Sequence, residues 1–263
     1  MITPHSAAPE RSVVDRTLTI LGAFDRDNPT LTLSDISRRA ALPLATVHRI
    51  VSKLHTWGAL ERCADGLYSI GLRLWETAVL APRSSALVEA AQPHLIALHG
   101  QTSGAAVIAI RDGGESVCLS FVYDDPGFPH CSPQGSRVPL HATAVGLVLL
   151  AHADQIVQNE VCDGPLTAYT PLTLTDGPAL KRLLGRIRRE GHAAVHGTLA
   201  EGRGGFAVPV RDGRGAVVAA VGVVAPSGMV HQPARLAHHV HAAANAISQS
   251  LRAVRSAAAE VGT

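Results

Sequence analysis

Apolar residues recur at intervals of three and four along the segment that follows Pro43. This spacing predicts an amphipathic helix through Trp57, with Pro43 as its first residue and one buried face. The predicted buried residues are Val47, Ile50, Val51 and Leu54. The opposite face carries hydrogen-bonding and cationic groups but no carboxylate, and its members are Thr46, His48, Arg49, Ser52 and Lys53.

Two shorter helical segments precede this one. Residues 12–27 predict a first helix, which the sequence Asn-Pro-Thr then interrupts. A second helix is predicted to begin near Thr32, because Thr32 followed by Asp35 has the spacing of a capping box. The predicted apolar sides are Val14, Leu18, Leu21 and Phe24 in the first helix, and Leu33, Ile36 and Ala40 in the second.

Strand-like runs replace the helical pattern after the third helix. Residues 59–63 and 67–70 flank an Asp-Gly dipeptide that is typical of tight β-hairpins. Three helices followed by a hairpin predict a winged helix-turn-helix domain over residues 11–71. Residues 1–10 are predicted to form a disordered tail.

The next segment is predicted to connect this domain to a second one. Residues 72–81 have a helical pattern, and the sequence Pro-Arg-Ser-Ser at 82–85 predicts a bend or hinge before helix resumes at 86–102. We therefore assign residues 72–92 to a linker helix and hinge, and residues 93–256 to the second domain.

Two hairpins and three helices are predicted in the second domain. The runs AAVIAIRDGGESVCLSFVY and FAVPVRDGRGAVVAAVGVVAP each place a glycine-containing turn between apolar strands. Helices are predicted at 141–153, 178–191 and 233–256. The predicted fold class is therefore α+β, with an antiparallel sheet flanked by helices.

The composition favours a two-domain protein without a membrane segment. Of its 263 residues, 46% are hydrophobic and 17% are charged, so the chain can bury a sizeable core. The longest apolar run, residues 216–225, is too short to cross a bilayer, and the N-terminal stretch lacks the apolar core of a signal peptide. Four scattered cysteines without a C-x-x-C pair indicate reduced thiols. We therefore expect a cytoplasmic protein with no membrane partner.

Motifs for metal binding or catalysis are weak. Four histidines lie near the last predicted helix, but no cysteine or paired carboxylate completes a zinc site with them. These histidines are His231, His238, His239 and His241. The sequence contains no G-x-S-x-G motif, no P-loop and no dinucleotide-binding glycine pattern between a strand and a helix. We therefore expect no cofactor, no bound metal and no enzymatic activity.

The formal net charge of +2 says little about partners, so any contact with nucleic acid must come from a locally cationic face. In a helix-turn-helix the second helix lies in the major groove, where Arg49 has the chemistry to bind guanine. The predicted DNA-contacting residues are Arg38, Arg39, Thr46, His48, Arg49, Ser52, Lys53, Arg62 and Tyr68. The alternative is that this face is an ordinary solvated helix surface.

Several ordered segments resemble one family of regulators. They are SVVDRTLTILGAF, LTLSDISRRAALPLATVHRIVSKLHTWGALER, YSIGLRLWE, VPLHATAVGLVLLA and GFAVPVRDGRGAVVAAVGV. Through them, residues 12–256 are similar to the IclR-type transcriptional regulators. The resemblance implies a winged helix-turn-helix, a linker helix and a GAF-like effector-binding domain. It also implies a homodimer or a dimer of dimers on a palindromic double-stranded DNA operator, with a small organic or aromatic acid as effector.

The effector site is expected around the sequence GSRVPLHATAVG. A loop that enters a helix at residues 141–143 presents unpaired backbone N–H groups at a positive helix end, which suits a carboxylate. Alternatively, Thr143 only caps the helix and His141 is a structural histidine. The resemblance places the opposite wall in GTLAEGRGGFAVPV, where Gly205 replaces a common cysteine and is expected to enlarge or reshape the site. The expected effector-binding residues are His141, Ala142, Thr143, Glu201, Gly205, Phe206 and Ser227.

Three functions remain open at this point. The favoured one is a transcription factor that responds to a ligand. The second is a constitutive DNA-binding protein whose site has lost its ligand, which the glycine at position 205 allows. The third, an enzyme acting on a small acid, is less favoured because no catalytic constellation can be named.

Overall fold

A computed structural model of the protein describes residues 12–124, 134–230 and 233–261. The predicted tail at 1–10 and His231 lie outside these described residues. The chain divides into two units, Met1–Pro82 and Arg83–Thr263. Among the described residues, the first unit has one hydrophobic cluster and the second unit has two.

The described part of the first unit has the winged helix-turn-helix fold. Its helices are α1 (Val13–Leu21), α2 (Leu33–Ala40), α3 (Leu44–Trp57) and α4 (Leu72–Ala78), and its strands are β1 (Thr30–Leu31), β2 (Leu60–Arg62) and β3 (Tyr68–Ile70). The strands pair antiparallel in the order β1-β3-β2. The predicted helices and hairpin are thus confirmed. The sequence does not predict β1, because two residues are too few to show a period.

Local hydrogen bonds set the starts of the first two helices. Ser12 and Asp15 form a capping box at α1. The box predicted at α2 is present, since the Asp35 N–H donates to Thr32 Oγ1 at 3.0 Å and the Thr32 N–H donates to Asp35 Oδ2 at 3.4 Å. α3 begins one residue later than predicted, because Pro43 keeps a non-helical ψ and acts as the N-cap.

The core of the first unit lies between α1, α2, α3 and the small sheet. Its buried members are Ile20, Ala23, Leu31, Ile36, Ala40, Val47, Ile50, Val51 and Leu60. The predicted buried faces of α2 and α3 are confirmed. The face predicted for α1 is partly wrong, since Leu21 packs against this core but Val14 and Leu18 do not. Val14 and Leu18 are 66% and 61% exposed, whereas Ile20 is fully buried. Because α1 has apolar residues on two sides, its pattern alone does not show which side meets the core.

Arg39 joins α2 to the turn that follows α1. Its Nε–H donates to the Ala23 carbonyl at 2.7 Å, and its guanidinium pairs with the Asp25 carboxylate. The Asn28 side-chain amide also donates to Asp25, at 2.8 Å. Hydrogen bonding by Asn28, with a smaller contribution from Arg39, lowers the pKa of the Asp25 carboxyl. Arg39 is therefore part of the packing of this unit.

The connection from the wing to α4 is closely packed. A Cβ added at Gly71 would lie 2.2 Å from the Gly58 carbonyl oxygen. The Arg73 guanidinium lies 4.6 Å from the centroid of the Trp57 ring, and it also donates to the Trp57 carbonyl at 2.9 Å. The first turn of α4 is thus held against the C-terminal end of α3.

The bend predicted at 82–85 is wrong. Helix α5 (Pro82–Thr102) begins at Pro82, and the helical path is interrupted at 79–81 instead. Proline is tolerated in the first turn of a helix, where its missing N–H has no helical acceptor in any case. The Pro-Arg-Ser-Ser sequence therefore starts a helix and does not break one.

The described part of the second unit contains an antiparallel sheet with helices on both faces. Its strands are β4 (Ala105–Asp112), β5 (Glu115–Val122), β6 (Arg137–Pro139), β7 (Ala193–His196), β8 (Arg203–Arg211) and β9 (Val217–Pro226), in the order β6-β5-β4-β9-β8-β7. The helices after α5 are α6 (Ala144–Ala151), α7 (Gln155–Asp163), α8 (Gly177–Glu190), α9 (Ser227–Val230) and α10 (Pro233–Val261). The predicted α+β class and both hairpins are confirmed. Among the described helices, none has the length and apolarity needed to cross a bilayer.

Alternate residues of the central strands enter two separate cores. On β4, Ala106 and Ile108 face a cluster with α5 and α10, whereas Val107 and Ala109 face a cluster with α6, α7 and α8. This alternation is the two-residue period of a strand. α6 is buried at every position and lies inside the second cluster.

The substitution Gly71→Ala should destabilise the first unit. The added methyl would overlap the Gly58 carbonyl, and overpacking of this kind costs about 1–3 kcal/mol. Trp57 and Trp75 both belong to the first unit, so chemical unfolding followed by tryptophan fluorescence reports on it. Gly22→Ala is the matched control, since the nearest atom to its added Cβ is 3.4 Å away. Equal stability of the two variants would contradict the close packing described here.

The substitution Arg39→Ala should lower the free energy of unfolding of the first unit by on the order of 1 kcal/mol, because two acceptors lose a charged donor. Arg38→Ala is the control, since the Arg38 side chain is 77% exposed and pairs with Asp35 at the surface, where such pairs contribute little. The same fluorescence measurement applies. If both variants were equally stable, Arg39 would not brace α2.

Candidate nucleic-acid interface and ligand cavity

One face of α3 is exposed and cationic. Its exposed residues are His48, Arg49, Ser52 and Lys53, and Thr46 beside them is half-buried. On the opposite side Val47, Ile50 and Val51 are buried, so the apolar stripe holds the helix and leaves its polar face open. α3 contains no aspartate or glutamate, and this face therefore has no counter-charge on its own helix.

The N-terminal end of α3 adds to this positive potential. Pro43 is the N-cap and offers no side-chain hydrogen bond, and the first turn has no acidic residue. The N–H groups of Leu44 and Ala45 come first in the helix, where helix geometry provides no acceptor for them. Such a helix end attracts phosphate.

The two arginines at the end of α2 have different surroundings. Arg38 is exposed and pairs with Asp35 at 2.7 Å. Arg39 is committed to Ala23 and Asp25, and its side chain is 31% exposed. Arg38 can therefore reach an external phosphate, whereas Arg39 braces the fold and is left out of the proposed DNA contacts.

Arg62 and Tyr68 face each other across the wing. They are paired in register, and the Arg62 guanidinium lies 5.9 Å from the centroid of the Tyr68 ring. His55 meets the same ring edge-on, with 6.4 Å between centroids. Tyr68 is half-buried against the core of the first unit, and Arg62 is exposed. Arg62 is thus the wing residue presented at the surface, and Tyr68 supports it.

The second unit contains a cavity of about 90 Å³ between one face of the sheet and the N-terminal end of α6. Most of the described lining is small or apolar, and it includes Ala109, Phe121, Val138, Val145, Val195 and Val224. Walls of this kind suit a hydrocarbon group or an aromatic ring.

A few polar groups reach this cavity. Thr143 Oγ1 accepts from the Gly146 N–H at 3.0 Å, so it caps α6, and it donates to the Pro139 carbonyl at the end of β6 at 3.2 Å. Thr198 Oγ1 donates to the Ala142 carbonyl at 2.7 Å. Arg203 is the charged side chain among the described lining residues. The polar groups therefore gather where α6 and β8 begin.

The expected effector-binding residues are divided by the structure. Those that line the cavity are Ala142, Thr143, Gly205 and Phe206. His141 is not among the lining residues, because it is buried with its Nε2 hydrogen-bonded to the Thr167 carbonyl at 3.0 Å. Glu201 is exposed, and Ser227 lies outside the described lining, where its N–H donates to the Gly202 carbonyl at 2.9 Å. The contacts of His141 fit the structural alternative, while Thr143 both caps the helix and lines the cavity.

Gly205 allows α6 to approach β8 closely. A Cβ added at Gly205 would lie 3.2 Å from the Ala144 Cβ and 3.6 Å from Val195 Cγ2. Ala144 is the first residue of α6. The glycine thus reshapes the cavity by admitting the helix, and it does not leave an open space.

Arg203 is the candidate that the sequence analysis does not find. It is the first residue of β8 and shares a face of that strand with Gly205, two positions later. The predicted strand begins at residue 206, which leaves Arg203 in a loop. If the predicted strand is extended back by three residues, its two-residue period places Arg203 on the same side as Gly205, which faces the cavity.

The histidine-rich start of α10 lacks a metal-binding arrangement among the residues that the structure describes. The rings of His238 and His239 lie 5.5 Å apart by their centroids, and His239 Nδ1 is hydrogen-bonded to Gln101 at 3.1 Å.

Two protein-family models match the chain. The IclR helix-turn-helix domain matches residues 13–63, and the C-terminal domain of the bacterial transcriptional regulator IclR matches residues 80–249. The first match contains the candidate residues of the first unit except Tyr68, and the second match contains those of the second unit.

Related proteins carry the names of regulators. The HTH-type transcriptional regulator XynR of Escherichia coli K12 is 30% identical over 210 residues, which cover 79% of this chain and 83% of XynR. The HTH-type transcriptional repressor AllR of the same strain is 29% identical over 219 residues, which cover 81% of this chain and 80% of AllR.

Solved structures of similar proteins have the same fold. An IclR homolog from Microbacterium hydrocarbonoxydans, crystallised with 4-hydroxybenzoate, has a TM-score of 0.87 and 35% identity, and the match covers 92% of this chain and 100% of that one. Thermotoga maritima IclR has a TM-score of 0.73 and 24% identity, with 90% and 98% covered. From its winged helix-turn-helix, its cavity-bearing α+β unit and these matches, the chain belongs to the IclR family of bacterial transcriptional regulators.

Proposed function

We propose that this regulator reads an operator through the polar face of α3, and that a small organic acid in the cavity changes its affinity for that operator. The observation that carries the proposal is the exposed face of α3, which offers cationic and hydrogen-bonding groups without a carboxylate. In a helix-turn-helix this second helix enters the major groove.

Arg49 is proposed to contact a base edge. It is exposed on α3, and a guanidinium can bind the O6 and N7 atoms of guanine together. The other proposed contacts are Thr46, His48, Ser52 and Lys53 on α3, Arg38 on α2 and Arg62 on the wing. The cations among them bind phosphates, which position the helix, and the base contacts provide specificity.

An exposed apolar surface on the first unit supports dimerisation. Leu72, Trp75 and Val79 recur at i, i+3 and i+7, and they are 60%, 62% and 41% exposed. Val14 and Leu18 on α1 are exposed as well. Large apolar patches of this kind are rare on monomers. A homodimer, or a dimer of dimers, would bring paired α3 helices to a palindromic operator.

The cavity supports binding of a small carboxylate. Arg203 supplies a cation, and Thr143 marks the positive end of α6, where the first N–H groups have no helical acceptor. At about 90 Å³ the cavity is smaller than the roughly 150 Å³ cavity that accommodates benzene. A short-chain acid is therefore favoured in the cavity as it stands, and an acid with a single ring requires the walls to move apart. The solved Microbacterium relative was crystallised with 4-hydroxybenzoate, so this is the first compound to test.

The proposed effector acts by shifting a conformational equilibrium. It can change operator affinity only as far as its own affinity differs between the two states. α4 is the proposed transmitting element, because the Leu72 N–H donates to the Glu61 carboxylate at 2.9 Å and Arg73 packs on Trp57. The interruption of the helical path at 79–81 is the proposed hinge.

A constitutive regulator without a ligand is the second candidate. It is favoured by the hydroxyl groups of Thr143 and Thr198, which are already hydrogen-bonded within the fold. The relatives are named as regulators and repressors, and we propose no catalytic role. The proposed site of action is the cytoplasm, where the protein meets its operator.

The substitution Arg49→Ala should reduce discrimination between the DNA upstream of the protein's own gene and scrambled DNA by about 1–3 kcal/mol, because a base contact is lost. Equilibrium binding at a stated salt concentration measures both affinities. Lys53→Ala is the comparison, since loss of a phosphate contact should weaken both duplexes alike. If Arg49→Ala also weakened both alike, its contact would be to phosphate.

The substitution Arg203→Gln should weaken binding of 4-hydroxybenzoate by roughly tenfold to a hundredfold, because a charge-assisted hydrogen bond is lost. Calorimetric titration measures the change. The neutral amide 4-hydroxybenzamide should bind both proteins with equal affinity. Arg111→Gln is the matched control, since it removes a cation from the β4–β5 hairpin, outside the described lining.

Three outcomes separate the candidates. Binding of the acid with a parallel change in operator affinity supports the effector. Operator binding that no small acid alters, with no acid bound, favours the constitutive regulator. Equal losses for the acid and the amide in Arg203→Gln would mean that Arg203 maintains the cavity wall and does not bind the carboxylate.

A further inference from the structure

Helix α8 concentrates positive charge on the unit that does not contain the helix-turn-helix. Five of its 14 residues are lysine or arginine, and one, Glu190, is acidic. The five cations are Lys181, Arg182, Arg186, Arg188 and Arg189. They fall into two groups with different surroundings.

Two of these cations hold α8 to its neighbours. Lys181 Nζ lies 2.8 Å from Asp163 Oδ1 on α7. Arg188 donates to the Ala151 carbonyl at 3.1 Å and to Gln158 Oε1 at 3.0 Å. Both side chains are therefore explained by packing within the second unit.

The other three, which we call the arginine stripe, are Arg182, Arg186 and Arg189. They recur at i, i+4 and i+7, so they share an arc of about 60° on the helix surface. The buried residues of α8 have the same spacing two positions earlier, about 200° away around the helix, and they are Leu180, Leu184 and Ile187. The arginine stripe is thus exposed on the side of α8 opposite these buried residues, and Arg186 also borders a pocket that it shares with Glu190 and His192.

The stripe is unfavourable for the helix itself. Like charges at i, i+3 and i+4 repel each other, and a cation near the N-terminal end opposes the helix dipole. The dipole accounts for Arg188 and Arg189 in the last turn, but it does not account for Arg182 and Arg186. Within the described chain, no carboxylate lies in salt-bridge range of the stripe. An external anion would relieve the repulsion.

We propose that the arginine stripe binds the phosphate backbone of DNA outside the bases read by α3. Guanidinium groups bind phosphate in a bidentate manner. The rise from Arg182 to Arg189 is about 10.5 Å, which is roughly three axial spacings of 3.4 Å and therefore the span of four successive phosphates on one strand.

The net charge of the first unit leaves room for an additional phosphate contact elsewhere on the protein. It carries nine lysine and arginine residues against eight aspartate and glutamate residues, so its bulk attraction for DNA is weak. DNA is the polyanion that a regulator with a helix-turn-helix meets, and phosphate contacts supply much of its affinity. The proposal for the arginine stripe rests on the proposed DNA-binding function. It adds a DNA-binding surface that the helix-turn-helix does not contain.

The test compares two variants that lose the same charge. One is Arg182→Gln/Arg186→Gln on the stripe, and the control is Arg111→Gln/Arg214→Gln at two hairpin tips. A long random-sequence duplex is the probe, because it requires no known operator. Equilibrium binding over a salt series should give a slope of log K against log salt that is shallower by about 1.8 for the stripe variant and unchanged for the control.

A photo-cross-linker at position 186 of the full-length protein should form an adduct with the same duplex, and one at position 111 should not. Equal slopes for the two double variants, or no adduct from position 186, would overturn the proposal and leave an acidic protein surface as the partner. Arg49→Ala separates this result from the proposed role of α3, since it should weaken recognition of the upstream DNA and leave the adduct from position 186 intact.

Discussion

The close approach of α6 to strand β8 determines the shape of the effector-binding unit. It is possible because Gly205 has no side chain, so the Ala144 methyl occupies the space beside the strand. Gly146 and Gly222 are similarly constrained, since an added Cβ would lie 2.7 and 2.5 Å from backbone carbonyl oxygens. The cavity is the space that remains between these elements. Its charged and hydroxyl-bearing side chains lie at the ends of the same elements, which places polar groups at one end of an apolar space.

Elements with a strong local signal could be predicted from the sequence. α3 has a clear 3.6-residue period, α2 has the Thr32–Asp35 capping box, and the two hairpins of the second unit have glycine-containing turns between apolar strands. Elements whose pairing depends on distant chain could not be predicted, such as the two-residue strand β1 and the short strand β6. The exposed apolar residues of α1 mislead for a different reason, because the surface that we propose to pair with a second copy has the same composition as a core.

The candidate sites show the same division. The polar face of α3 follows from periodicity alone. The position of Thr143 at the start of α6 follows from the predicted entry of a loop into a helix at residues 141–143. Arg39 could not be assigned, because its acceptors lie 14 and 16 residues away in sequence. His141 and Arg203 depend on which side of a loop or strand faces the cavity. The packing of α6 against β8 determines that orientation. The sequence around His141 or Arg203 does not predict it.

The attachment of α4 to the wing has a consequence for how target genes are distinguished. The Leu72 N–H donates to Glu61, which holds α4 to the same hairpin that carries Arg62, while Arg73 holds α4 to Trp57 at the end of α3. A wing that adjusts to a particular DNA shape would therefore also act on the proposed linker. Coupling between two binding sites is reciprocal. Each operator would then act as an effector of metabolite binding, and operators of different sequence would release the protein at different metabolite concentrations. One regulator could in this way switch several genes, each at a different concentration of the same metabolite.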